Sequence, residues 1–175
     1  MKKFTLIGLI FLIGIGIGMI FSPTSQADVE ILNDEYLFPS LISEINNAEE
    51  SVHLIVFQMI NYDDYPDSQS NLLIRALVRA QERGVDVKII TDGALFDNKD
   101  NYEYLKELGL NVKSDAEDKV THNKLIIIDS KKVFVGSSNW SYHSLAENHE
   151  SNILVTDSKV AREFEDYFEE VWDDY

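Results

Sequence analysis

A chain of 175 residues with 45% hydrophobic and 26% charged residues has the composition of one globular domain with its own core, which excludes a disordered or fibrous chain. Its formal net charge of −16 excludes a broad basic face of the kind that grips nucleic acid non-specifically. It has no cysteine, so disulfides and a Cys-rich zinc site are excluded.

Residues 1–27 have the pattern of a targeting segment. Lys2 and Lys3 precede an apolar run from Phe4 to Phe21, about 27 Å long as a helix and close to the bilayer core. Ser25-Gln26-Ala27 offers small residues at signal-peptidase spacing. A cleaved signal peptide and a retained membrane anchor are both compatible with this stretch. In either case the domain, residues 28–175, is expected outside the cytoplasmic membrane, secreted, periplasmic or anchored to its outer face.

Val29 to Leu32 is expected as a first strand. Tyr36 to Glu49 has helical spacing at Leu37, Leu41, Ile42 and Ile45, with Pro39 in its first turn. Ser51 to Ile60 is an apolar strand, and His53 on it is expected to be structural or at its rim. Asn61 to Ser70 is a loop rich in Asp and Tyr. Asn71 to Arg83 is an amphipathic helix stopped by Gly84. Val85 to Thr91 is a strand, Asn101 to Leu108 a short helix, and Leu110 to Lys113 a strand. Ser158 to Trp172 closes the sequence as a helix with Val160, Phe164, Phe168, Val171 and Trp172 on one stripe. Strands alternate with helices, which predicts an α/β fold: a mixed sheet sandwiched between helices.

The chemistry concentrates between Thr121 and Glu150. His122 and Lys124 are two apart, so an extended backbone puts them on one face. Leu125 to Ile128 has no polar break, as in a strand covered on both faces. Asp129, Ser130 and Lys131 suit a turn. Val133 to Val135 is the next strand, followed by Gly136, Ser137, Ser138 and Asn139. Glu150 precedes the apolar run Ile153 to Val155. Histidine can serve as nucleophile, acid or base near neutral pH. Lysine is a compact charge for a phosphate oxygen. Ser and Asn can donate to further oxygens. Gly136 allows a close backbone approach. A carboxylate such as Glu150 can orient an imidazole. Together these types suggest a phosphate-ester site that works by positioning and electrostatics.

His122-x-Lys124, four residues, Asp129, six residues, then Gly136-Ser137 and Asn139 resembles the signature of the phospholipase D superfamily in type and spacing. The chain has one copy. In this it is similar to the small bacterial endonuclease branch and the mitochondrial phospholipase D-like branch, which pair two identical subunits around one site. The resemblance implies roles. His122 attacks phosphorus and forms a covalent phosphohistidine, while the second subunit's His122 protonates the leaving oxygen and then activates water. Lys124 and Asn139 hold phosphate oxygens, and Ser137 supports the phosphate or the nucleophile. Glu150 hydrogen-bonds His122 and sets its tautomer. Asp129 belongs to the catalytic motif but supports its turn rather than moving a proton. The scheme requires no metal and no cofactor.

His143, Glu147, His149 and Glu150 are the competing metal-ligand set, but they do not form the His-Glu-x-x-His pattern and are expected to be surface and supporting groups. Trp140 and Tyr142 follow the phosphate-binding segment. They are candidates to stack on a base or a lipid-side group, or to pack at an edge. The motif fixes phosphodiester chemistry without choosing the leaving group. The resemblance implies a homodimeric endonuclease acting on DNA or RNA. A phospholipase D-type hydrolase of cardiolipin or another phospholipid is the alternative, favoured by acidity and by a possible membrane contact through residues 4–21. A non-catalytic phosphate- or membrane-binding protein is the third reading.

Overall fold

The structure is a computed structural model. It describes residues 27–93, 96–115 and 120–175, with residues 96–99 described in backbone only. The apolar run Phe4 to Phe21 lies outside the described residues. No helix among the described residues is long and apolar enough to cross a membrane.

The strands are β1 (Asp28–Ile31), β2 (Ser51–Val56), β3 (Asp86–Thr91), β4 (Asn111–Ser114), β5 (Lys124–Ile128), β6 (Lys132–Gly136) and β7 (Asn152–Thr156). The helices are α1 (Leu37–Asn47), α2 (Gln69–Glu82), α3 (Phe96–Glu107), α4 (Tyr142–Ala146) and α5 (Ser158–Asp173). The strands form one sheet in the order β1-β7-β6-β5-β2-β3-β4. β2, β3 and β4 run parallel, and every other neighbouring pair is antiparallel. This is the mixed sheet expected from the sequence.

The unbroken apolar runs follow from burial on both faces. Val52, Leu54, Val56, Ile126 and Ile128 pack with Leu41 and Ile45 of α1 and with Leu73 and Leu77 of α2. Their alternates Ile55, Leu125 and Ile127 pack with Ala161, Phe168 and Trp172 of α5. Each such side chain contributes about 1.5–3 kcal/mol on burial. α5 starts at Asp157, whose carboxylate accepts the N–H groups of Lys159 at 2.8 Å and Val160 at 3.0 Å. Gly84, at φ 93°, ends the α2 segment as expected.

His53 alternates with the apolar residues of β2 and faces α5. Its ring stacks on Phe168 with centroids 4.8 Å apart. Its Nδ1 meets Glu165 at 2.7 Å and its Nε2 meets Asp86 at 3.3 Å. The residue is structural.

The structure departs from the sequence reading at three places. β2 ends at Val56, not Ile60, because the chain leaves β5 and pairs with Trp140 instead. Trp140 N–H donates to Gln58 O at 2.9 Å, and Ile60 N–H donates to Trp140 O at 2.9 Å. α3 starts at Phe96, earlier than Asn101. The short α4, absent from the sequence reading, is capped by Ser141, whose side chain accepts from Ser144 N–H at 3.4 Å.

Candidate active site

The antiparallel and parallel pairings decide which ends of the strands meet. Val56 at the end of β2 pairs with Lys124 at the start of β5. Gly136 at the end of β6 pairs with Asn152 at the start of β7. One end of the sheet therefore gathers His122, Lys124, Ser137, Asn139 and Glu150, although they span the sequence from 122 to 150.

His122 precedes β5 and is exposed. Its ring lies 4.6 Å from the ring of Phe57, tilted by 54°. Among the described residues its imidazole makes no hydrogen bond. The preceding residue, Thr121, is fixed: its N–H donates to Asp115 Oδ2 at 2.7 Å, while Asp115 Oδ1 accepts Gly93 N–H at 2.6 Å. Asp115 thus anchors the segment carrying His122 to the ends of β3 and β4.

Lys124 is buried. Its Nζ donates to His122 O at 3.0 Å and sits 4.7 Å from the Phe57 ring centroid. Burial pushes its pKa down, and the Glu150 carboxylate acts against that shift. A desolvated ammonium, strengthened by low dielectric, faces the same sheet end as His122.

Gly136 has a cause other than ligand approach. A Cβ there would stand 2.5 Å from Ser151 O and 2.7 Å from Asn152 Cα and would clash with Asn152 Oδ1. The close neighbour is β7. Ser137 then turns outward: its Oγ donates to Glu150 Oε2 and accepts Ser151 N–H at 3.1 Å. Asn139 Oδ1 is buried and, among the described residues, has no hydrogen-bond partner. That oxygen can only accept, so the group of Asn139 able to meet a phosphate oxygen is its Nδ2 donor.

Glu150, expected to orient His122, instead gives its carboxylate to Ser137 and to Asn148 Nδ2 at 3.2 Å. Its backbone is held by Asp34. Asp129 lies at the far end of β5, about 17 Å from Lys124 by strand rise. Its carboxylate accepts the N–H groups of Glu49, Glu50 and Ser51 at 2.7–3.2 Å. Asp129 and Ser130, at φ 54° and 47°, form the β5–β6 hairpin turn. Asp129 is therefore a brace of the fold, remote from the other site residues.

The metal-ligand candidates separate. His143 pairs with Glu147 at 2.8 Å, His149 with Asp34 at 3.2 Å, and Glu150 with Ser137. Trp140 is 1% exposed and belongs to the core, whereas Tyr142 is 48% exposed. Sequence reasoning missed Phe57, Asp34 and Asp115. No local signal marks Phe57, and the other two are recognisable only through partners distant in sequence.

The family described as "Cardiolipin synthase, PLD-like domain" matches residues 41–172. A Rickettsia prowazekii protein named "Phospholipase D" is 34% identical over 125 residues, covering 71% of this chain and 57% of that protein. The chain therefore spans little more than half of that relative's length. A Xenopus laevis "Mitochondrial cardiolipin hydrolase" is 26% identical over 157 residues, covering 89% of this chain and 70% of that protein. Among solved structures, the phospholipase D family member Nuc from Salmonella typhimurium superposes with a TM-score of 0.73 at 22% identity, covering 85% of this chain and 96% of Nuc. NucT from Helicobacter pylori gives 0.67 at 25% identity, covering 85% of this chain and 98% of NucT. By the extent of the family match and by its fold, the chain belongs to the phospholipase D superfamily.

Proposed function

We propose that the protein is a metal-independent endonuclease that hydrolyses phosphodiester bonds of DNA or RNA through a covalent phosphohistidine, in a homodimer with one shared site. The carrying observation is the juxtaposition at one sheet end of the exposed His122 imidazole and the buried Lys124 ammonium. In the first step a neutral His122 nitrogen attacks phosphorus, and the bond from phosphorus to the leaving oxygen breaks. The partner subunit's His122, as imidazolium, gives its proton to that oxygen. In the second step this now neutral imidazole takes a proton from water. The resulting hydroxide attacks phosphorus, the P–N bond breaks, and His122 is restored. The Lys124 ammonium and the Asn139 Nδ2 amide donate to the non-bridging oxygens where negative charge concentrates. Two imidazoles close together resist double protonation, which keeps one as base and the other as acid.

The single motif supports the dimer, because the reaction uses two histidines and the chain supplies one at this site. The apolar run Phe4 to Phe21 would place the domain outside the cytoplasmic membrane. A phospholipase D-type lipid hydrolase is the second reading. It is favoured by the net charge of −16 and by relatives named phospholipase D and cardiolipin hydrolase.

The test uses the full chain in excess EDTA with His122→Ala beside it. Single-stranded DNA, double-stranded DNA and cardiolipin vesicles are offered in parallel. Nucleic-acid cleavage that survives EDTA and vanishes in the variant is the expected result. Lipid turnover alone would replace the endonuclease reading by the second one.

A further inference from the structure

A cavity of about 530 Å³ is lined by Tyr62, Tyr65, Ser68, Tyr142 and His143. It grows from the two segments that also build the phosphate site. Tyr142 is three residues beyond Asn139, which keeps their Cα atoms within about 11 Å. Tyr62 is five residues beyond Phe57, the ring against His122. The segment between Asn139 and Tyr142 has little freedom, because Trp140 is buried and its carbonyl accepts from Ser70 Oγ at 2.9 Å.

The walls are set in place by hydrogen bonds. Tyr142 N–H donates to Tyr62 Oη at 2.9 Å. Asn71 fixes the loop carrying the other tyrosines: its Oδ1 accepts Tyr62 N–H at 2.9 Å, and its Nδ2 donates to Tyr62 O at 2.9 Å and Tyr65 O at 3.4 Å. Even so, Tyr65 is 70% exposed and Tyr142 48% exposed. A backbone fixed beneath exposed rings, with the Tyr62 hydroxyl itself held, makes a platform for a planar partner and limits the ordering cost when one binds.

The lining chooses the partner. It contains phenols, an imidazole and a hydroxyl, with no aliphatic side chain and no carboxylate. Walls made mainly of phenol rings offer a planar heterocycle ring stacking, with edge hydrogen bonds from the hydroxyls and the imidazole. Three of the nearby acids have partners: Asp67 meets Arg75 at 3.3 Å, Asp63 accepts from Asn61 at 2.7 Å, and Glu147 meets His143 at 2.8 Å. A base inside a duplex has both faces covered, so the fitting partner is an unpaired one.

We propose that the Tyr62–Tyr65–Tyr142 cavity is a stacking subsite for one unpaired nucleobase flanking the scissile phosphate, giving the enzyme a preference for single strands. This rests on the endonuclease reading and specifies its substrate.

The experiment measures binding to full-chain His122→Ala, which should leave the strand uncut. The probes are a labelled single strand of thymidine nucleotides and an abasic strand of the same length. Tyr65→Ala and Tyr142→Ala are compared with Tyr65→Phe and Tyr142→Phe, which keep the rings. The alanine changes are expected to weaken the base-bearing strand by about tenfold or more and the abasic strand by less than about twofold, with the phenylalanine forms near the parent. Equal weakening of both strands, or none, would overturn the subsite. Cleavage of the base-bearing strand by the unsubstituted chain in EDTA is measured alongside. If it persists while the alanine forms show no base-dependent loss, the subsite fails and the endonuclease reading stands. If the chain neither cuts nor binds either strand, both fail.

Discussion

Asp34 and Glu150 are joined by a reciprocal pair of hydrogen bonds across 116 positions of sequence. Asp34 N–H donates to Glu150 O at 3.1 Å, and Glu150 N–H donates to Asp34 Oδ1 at 2.7 Å. The second oxygen of Asp34 meets His149 Nδ1 at 3.2 Å. Asp34 holds this position at φ 50°, a conformation uncommon for a non-glycine residue. The edge of the fold thus grips the backbone of a site carboxylate.

Asp34→Ala is expected to lower kcat by about tenfold with KM nearly unchanged, because Glu150 loses its placement while the phosphate ligands stay. Asp34→Asn keeps an acceptor oxygen and should recover most of the rate. The Glu150 N–H, then His149, hold the Asp34 carboxyl below the usual range. With its folded pKa depressed, the clamp's stabilisation is present above the ordinary carboxylate pKa and is lost as pH falls through the folded value. The rate of the unsubstituted chain should accordingly lose an Asp34-dependent component only at acid pH, read by comparing pH profiles of the chain and Asp34→Asn.

Asp129 gives the opposite pattern. Removing a carboxylate that collects three backbone N–H groups should cost on the order of 2 kcal/mol. Asp129→Ala should lower the thermal midpoint by about 5 °C. The turnover of the folded fraction should stay within about twofold of the parent, since the residue is remote from the chemistry. Calorimetry and active-site-normalised kinetics separate the two effects. A large loss of turnover at full stability would return Asp129 to the reacting centre.

Gly136→Ala introduces a Cβ against the backbone of Ser151 and Asn152. β6 and β7 must separate to admit it, at a cost of about 1–3 kcal/mol. The same movement displaces Ser137 from Glu150. Urea unfolding should show a lower midpoint with an unchanged slope, together with reduced turnover.

His53 should make stability depend on pH. Burial alone would lower its pKa, but the hydrogen bonds and charges of Glu165, with the Asp86 hydrogen bond, outweigh burial and raise it; Lys88 opposes them. A raised folded pKa means the contribution is fully present below the unfolded value and is lost as pH rises through the folded one. Melting profiles across neutral pH should show a decline that is absent in His53→Gln. A slope identical in both proteins would remove His53 as its source.

The proposed shared site would make activity depend on concentration. Specific activity should fall on dilution through the dimer dissociation range, in step with the loss of dimer by sedimentation. Undiminished activity from a strictly monomeric sample would be incompatible with a two-histidine mechanism.

Much of this was legible in the sequence because it depends on spacing. The period-two placement of His122 and Lys124 and the unbroken run Leu125 to Ile128 announce a strand covered on both faces with polar groups at its start. The α5 stripe was legible at Phe168 and Trp172, which are buried, while Ala161 took the inner place that Val160 was expected to hold. What spacing could not show is which end of a strand a motif residue occupies once neighbours pair. Asp129 is five residues from Lys124 in sequence, and strand rise carries it away from the site. Asp34 is 116 residues from Glu150, and the antiparallel pairing of β1 with β7 brings it close. Local periodicity and turn preference act over a few residues, so the sequence showed the strands, the longer helices and the chemical types at their ends, but not the short α4. Only the tertiary structure decided which of those ends share one edge of the sheet, why Gly136 must be glycine, and which carboxylate holds which backbone. Those facts come from non-local pairing, whose partners are set by how the whole sheet closes over its two cores.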